Sequence, residues 1–138
     1  MKKTMMLVLV CVIALTGVMS LNVFAADIWD GTTVDTSWYD ANNEDFTIDT
    51  AAKLAGLAQI VNGTADEISQ DSFSGKTVTL GGDIDLNGCE WDPIGSEAWS
   101  FQGTFDGNNC TISNLYIENT DLIYAGLFGF AQGYTIKN

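Results

Sequence analysis

Residues 103–114 read GTFDGNNCTISN and residues 126–138 read GLFGFAQGYTIKN, two versions of one phrase. Gly103 matches Gly126, Phe105 matches Phe128, Thr111-Ile112 matches Thr135-Ile136, and Asn114 matches Asn138. The matched glycines are 23 residues apart and the matched isoleucines 24, so one residue is inserted between anchors. A unit of this length that carries Gly, Phe and β-branched residues, with no helical period, predicts a stack of β-coils, a solenoid. The second copy breaks off at Asn138, and further coils are expected C-terminal to it.

The stretch before the repeat fits the same scheme. Val78, Leu80, Ile84 and Leu86 alternate with Thr79, Asp83, Asp85 and Asn87, the pattern of strands with one face in a core and one in water. Gly81-Gly82, Asn87-Gly88 and Asp106-Gly107-Asn108-Asn109 supply turn chemistry, Gly offering positive φ and Asp and Asn bonding their own backbone. The next coil is expected to turn Phe105, Ile112, Leu115 and Ile117 inward, and the third Leu127, Phe128 and Ile136. Stacking Val78 over Ile112 would place Cys110 beside Lys76 and Tyr134. Asn114 and Asn138 would then stack as an amide ladder.

One helix is predicted, from about Thr50 to Asn62. Asp49 or Thr50 can cap it, Leu54, Leu57, Ala58 and Val61 fall at i, i+3, i+4 and i+7, and Gly63 provides the stop. An amphipathic helix needs an apolar partner, and the exposed first coil of a solenoid offers one. Upstream, residues 26–48 are polar and aromatic, a lead-in that packs its rings against the end of the core. The organisation expected is therefore a leader at 1–25, the lead-in and capping helix at 26–72, and coils from 73 to 138.

The leader reading rests on Lys2-Lys3, the apolar run from Leu7 to Val18, and the small-residue exit Val23-Phe24-Ala25, followed at once by Asp27 and Asp30. That is the layout of a secretory signal peptide, preferred here over a membrane anchor. Its removal takes Lys2 and Lys3 away and moves the formal charge from −13 to −15, with 18 carboxylates facing three lysines and no arginine or histidine. Nucleic-acid binding is excluded by the lack of a basic face. Cys89 and Cys110 remain in an oxidising compartment and could pair, a question that spacing leaves open.

Taken in order, the WDG and DTSWYD of the lead-in, TAAKLAGLAQIVNG, FSGKTVTLGGDIDLNGCEWDPIG, FQGTFDGNNCTISNLYIEN and GLFGFAQGYTIKN resemble the start of bacterial secreted proteins with GLUG-type repeats. The resemblance covers about Trp29 to Asn138. It implies a right-handed parallel β-helix with an N-terminal helical cap, mostly β, secreted and associated with the cell surface. Such repeats also precede the catalytic part of IgA-specific metallopeptidases, and the resemblance carries no catalytic residue across. Cys89, Cys110 and Lys53 depart from the pattern.

Chemistry in this stretch is not expected. Without histidine there is no Ser-His-Asp or Cys-His arrangement and no HExxH zinc site. Asp83, Asp85 and Asn87 match the first half of a calcium loop, but its closing position is Ile94 where a bidentate Glu is needed. A solvated strand edge is the better reading of these three. Trp29, Trp38, Trp91 and Trp99 are candidates for stacking on sugars. The expectation is a non-catalytic surface scaffold of adhesin type, with no cofactor and no membrane contact after signal cleavage. Its partner would be a glycan or protein of a host or cell surface. The alternatives are the leader of a β-helix carbohydrate-active enzyme or metallopeptidase whose active site lies downstream, and a glycan-binding module.

Overall fold

The computed structural model describes residues 28–138, and the expected signal segment 1–25 lies outside them. Its elements in chain order are β1 (Asp45–Ile48), α1 (Ala51–Asn62), β2 (Thr77–Leu80), β3 (Ile84–Asp85), β4 (Thr104–Asp106), β5 (Ile112–Ser113) and β6 (Thr135–Lys137). All strand pairing is parallel: one sheet runs β1-β2-β4-β6 and a second pairs β3 with β5. Parallel neighbours need long crossovers, and the steps from Asp45 to Thr77 to Thr104 to Thr135 are 32, 27 and 31 residues.

These steps correct the spacing suggested by the repeat. Phe46, Val78, Phe105 and Ile136 lie side by side across the larger sheet, and Ile84 lies beside Ile112. Val78 therefore does not stack over Ile112, nor does Phe105 share a register position with Phe128. Thr135-Ile136 aligns with Thr104-Phe105, whereas Phe128 bridges to Ile94 and Ala131 to Phe101. The two phrases look alike because each alternates apolar residues with turn residues. The backbone aligns them by strand, and the Gly126–Phe128 stretch falls in the preceding connection. Phe105 and Phe128 still meet, edge to face with centroids 5.2 Å apart.

The core follows from the alternation. Val78, Leu80, Ile84 and Leu86 are buried as expected, and so is Phe105, while Ile112 and Ile117 are only partly covered. Leu115 and Ile136, both expected inside, are 42% and 49% exposed. Among the described residues nothing pairs with β6 on its outer side, and its three residues are all exposed. Phe73, Phe46, Trp38, Tyr39 and Phe101 form a connected aromatic group at the lead-in side of this core.

Helix α1 starts and stops where predicted. Thr50 is the N-cap and its hydroxyl accepts from the Lys53 amide at 3.2 Å. Gly63 closes the helix with φ 68°, its amide turned back on the last carbonyls. The helix is more deeply embedded than a simple cap over one end. Eight of its twelve residues are buried, among them Gly56 and Ile60 on the side away from the predicted stripe. The lead-in runs across that side, with the Asp35 amide donating to Ala52 O at 3.0 Å. A side chain at Gly56 would begin only 2.2 Å from Asp35 O. The lead-in also contributes β1, so its last part belongs to the sheet.

Candidate functional site

Two loops rise beside the C-terminal end of α1 and leave a groove of about 580 Å³ between them. The first runs from Pro93 to Trp99 and is tied to the helix end by one asparagine. Asn62 donates from Nδ2 to Pro93 O at 3.0 Å and accepts at Oδ1 from the Gly95 amide at 2.9 Å. Gly95 has φ +87°, and a Cβ there would begin 2.1 Å from Phe130 O, so no other residue fits without moving the wall. Paired amides of Ser96 and Trp99, each donating to the other's carbonyl, close the loop tip.

The second loop, from Asn119 to Ala125, leaves Ile123 82% exposed and Tyr124 40% exposed. Tyr124 ties the loops together. Its hydroxyl donates to Glu97 at 3.0 Å, and its ring meets Phe130 edge to face at 5.5 Å. The hydrogen bond to the Glu97 carboxylate raises the Tyr124 hydroxyl above its ordinary value. Asp92 and Asp121 complete a negative rim.

The four tryptophans do not share one open face. Trp29 and Trp91 are buried and meet edge to face at 5.9 Å, and Trp38 packs on Phe46 and Tyr39. Trp99 alone of the four is open, 48% exposed. The buried indoles spend their N–H groups on backbone carbonyls, Trp29 to Thr33 O and Trp91 to Leu127 O.

The acidic residues singled out as calcium ligands are engaged in holding neighbouring strands in register. Asp83 Oδ1 accepts from the Thr111 amide at 2.7 Å, and Asp85 Oδ1 accepts from its own turn at Asn87 N and from Asn114 Nδ2 at 2.8 Å. Asn87 donates to Trp29 O at 3.0 Å. Asp106 repeats the device, accepting from Asn108 N and from Asn138 Nδ2 at 3.0 Å. The expected Asn114–Asn138 ladder is thus replaced by two Asp–Asn pairs, Asp85 with Asn114 and Asp106 with Asn138. In each, the asparagine hydrogen bond leads in holding the carboxyl below its usual range. No group of three His, Cys, Asp or Glu side chains among the described residues is placed to hold a metal ion.

In the turn 106–109 the positive φ falls on Asn108 and Asn109, at 49° and 58°, not on Gly107. Gly107 is needed instead for close approach, since a Cβ would begin 2.3 Å from Asn138 O. Cys89 and Cys110 are both free. Cys89 lies against Trp29 and Cys110 against Leu80, so Cys110 is not beside Lys76 and Tyr134.

A second cluster escaped the sequence reading. Asp71 accepts from the Tyr39 hydroxyl at 2.7 Å, from the Phe73 amide at 2.7 Å, and from the Lys76 ammonium, which also reaches Ala41 O. Burial disfavours its charge, but hydrogen bonds from Lys76, Tyr39 and Phe73 outweigh burial and keep the carboxyl below its ordinary value. Burial, reinforced by Asp71, raises the Tyr39 hydroxyl. The cluster fastens the lead-in to the strand entering β2. Nothing in the sequence places residue 39 beside residue 71, so only the fold reveals it.

No family model and no solved structure matches the chain. A protein of Evansella cellulosilytica, provisionally named a Gly-rich membrane protein, is 34% identical over 85 residues. The match takes in 61% of this chain and 9% of that protein, so the chain spans less than a tenth of its relative's length. Among the described residues no helix is long and apolar enough to cross a membrane.

Proposed function

We propose that this chain belongs to a secreted, cell-surface scaffold of parallel β-helix type with GLUG-like repeats, which displays loops for binding and does no chemistry in this stretch. The observation that carries the reading is the combination of short parallel strands at steps of 27 to 32 residues with two loops raised off them. A stack of this kind is a rigid support, and the connections between its strands are free to vary. The acidic surface, with 18 carboxylates in the sequence, suits a protein exposed to solvent at high local density. The name of the Evansella relative places that protein at a membrane, in keeping with surface attachment.

Proteinase K treatment of intact cells tests the proposal. An antibody against residues 93–125 should lose its signal while a cytoplasmic control protein survives. A signal that persists until the cells are lysed would overturn the surface reading.

A further inference from the structure

We propose that the groove between the 93–99 and 119–125 loops binds an extended peptide segment in which a lysine or arginine is flanked by aliphatic residues. The proposal deepens the display reading, since it takes these loops as the working face.

The shape comes first. The groove has a volume of about 580 Å³, within the range of ligand-sized clefts. Its first wall is fixed to the helix end by both polar atoms of Asn62 and to the strand connection behind it by Ile94, whose amide and carbonyl bond Leu127 and Gly129. The second wall is clamped by the Tyr124–Glu97 hydrogen bond. A trough with braced walls loses little entropy on binding.

The lining chooses the class of ligand. Ile123 is 82% exposed and Leu122 half-buried, giving an aliphatic strip. The Tyr124 ring is engaged edge to face with Phe130 and is 40% exposed. Aliphatic side chains suit this strip better than sugar faces, which want open aromatic rings.

Charge decides the rest. Asp92, Glu97 and Asp121 line the trough, and the carboxylates of Asp92 and Asp121 make no hydrogen bond among the described residues. All three lysines of the described chain are elsewhere, paired with Asp49, Asp71 and Asp106. An anionic ligand meets only repulsion here. A cationic side chain gains both the local rim and the field of the whole acidic chain.

Fluorescence anisotropy with the labelled peptide Ile-Lys-Leu-Lys-Ile-Lys, against Ile-Glu-Leu-Glu-Ile-Glu, at about 0.15 M salt tests the proposal. The lysine peptide should bind and the glutamate peptide should not. The double variant Asp92→Asn/Asp121→Asn should weaken binding about fivefold, and Ile123→Ser by a similar factor. The variant Glu44→Gln/Asp45→Asn removes an equal number of charges at the start of β1, outside the trough, and should bind like the parent. Equal loss in both double variants would reduce the effect to general charge attraction and overturn the site. No preference between the peptides, or binding of a neutral glycan in their place, would overturn it as well. Failure of the surface-digestion experiment with peptide binding intact would remove the display reading and leave this site standing.

Discussion

Gly56 lies in the middle of α1, where replacement by alanine ordinarily stabilises a helix by about 1 kcal/mol. Here the sign should reverse. An added Cβ would stand 2.2 Å from Asp35 O, 3.0 Å from Asp35 C and 3.3 Å from Thr36 Cγ2. Relief requires the lead-in to retreat by about 1 Å or more, since ordinary van der Waals contact begins near 3.4 Å. Such a shift strains the hydrogen bond that ties the lead-in to the helix, Asp35 N to Ala52 O at 3.0 Å. Losing it costs about 0.5–1.5 kcal/mol, and overpacking adds about 1–3 kcal/mol. Set against the helix gain, the net expectation for Gly56→Ala is a loss of about 1–3 kcal/mol. Urea unfolding followed by tryptophan fluorescence measures it. A Gly56→Ala protein more stable than its parent would refute the packing of the lead-in over the helix.

Phe73 is fully buried, yet its backbone has φ 60°. Phe73→Ala should cost about 3–5 kcal/mol by loss of packing, and Phe73→Gly should be no worse despite glycine's greater freedom when unfolded, because it relieves the left-handed strain; both are read from denaturant midpoints. Asp71→Asn should cost about 1–2 kcal/mol at neutral pH, a value reduced for partial exposure. Because the folded Asp71 carboxyl is held below its ordinary value, its contribution is present above about pH 4 and fades as pH falls through the folded value. The gap in melting temperature between parent and Asp71→Asn should therefore close in acid, and a gap that stays constant down to pH 2 would contradict the assignment. Gly107→Ala, whose Cβ would meet Asn138 O at 2.3 Å, should release β6 and speed proteolysis after Tyr134 while leaving the α1 amides protected.

Local features were legible in the sequence because they depend on neighbours along the chain. The Thr50 cap, the Gly63 stop and the alternation of Val78, Leu80, Ile84 and Leu86 all appear where period and capping put them. The register was not legible. Phe105 can be matched in letters to either Phe128 or Ile136, and only the backbone pairing chooses Ile136. The deep embedding of the helix was missed for a related reason. A lead-in of polar and aromatic residues gives no period, so nothing announced that it crosses Gly56 or that its end becomes β1. The site was legible only in part. Trp99 and the acidic composition pointed to a surface, but Asn62 holding Pro93 and Gly95 spans 31 and 33 residues and has no local signature.

The central claim is a parallel stack in which successive strands align at steps of 27 to 32 residues. Nuclear Overhauser contacts in the labelled protein test it most directly. The account predicts interstrand contacts joining Val78 to both Phe46 and Phe105, Phe105 to Ile136, and Ile84 to Ile112, in the pattern of parallel strands. Backbone pairing of Val78 with Ile112, or an antiparallel pattern between β2 and β4, would contradict it.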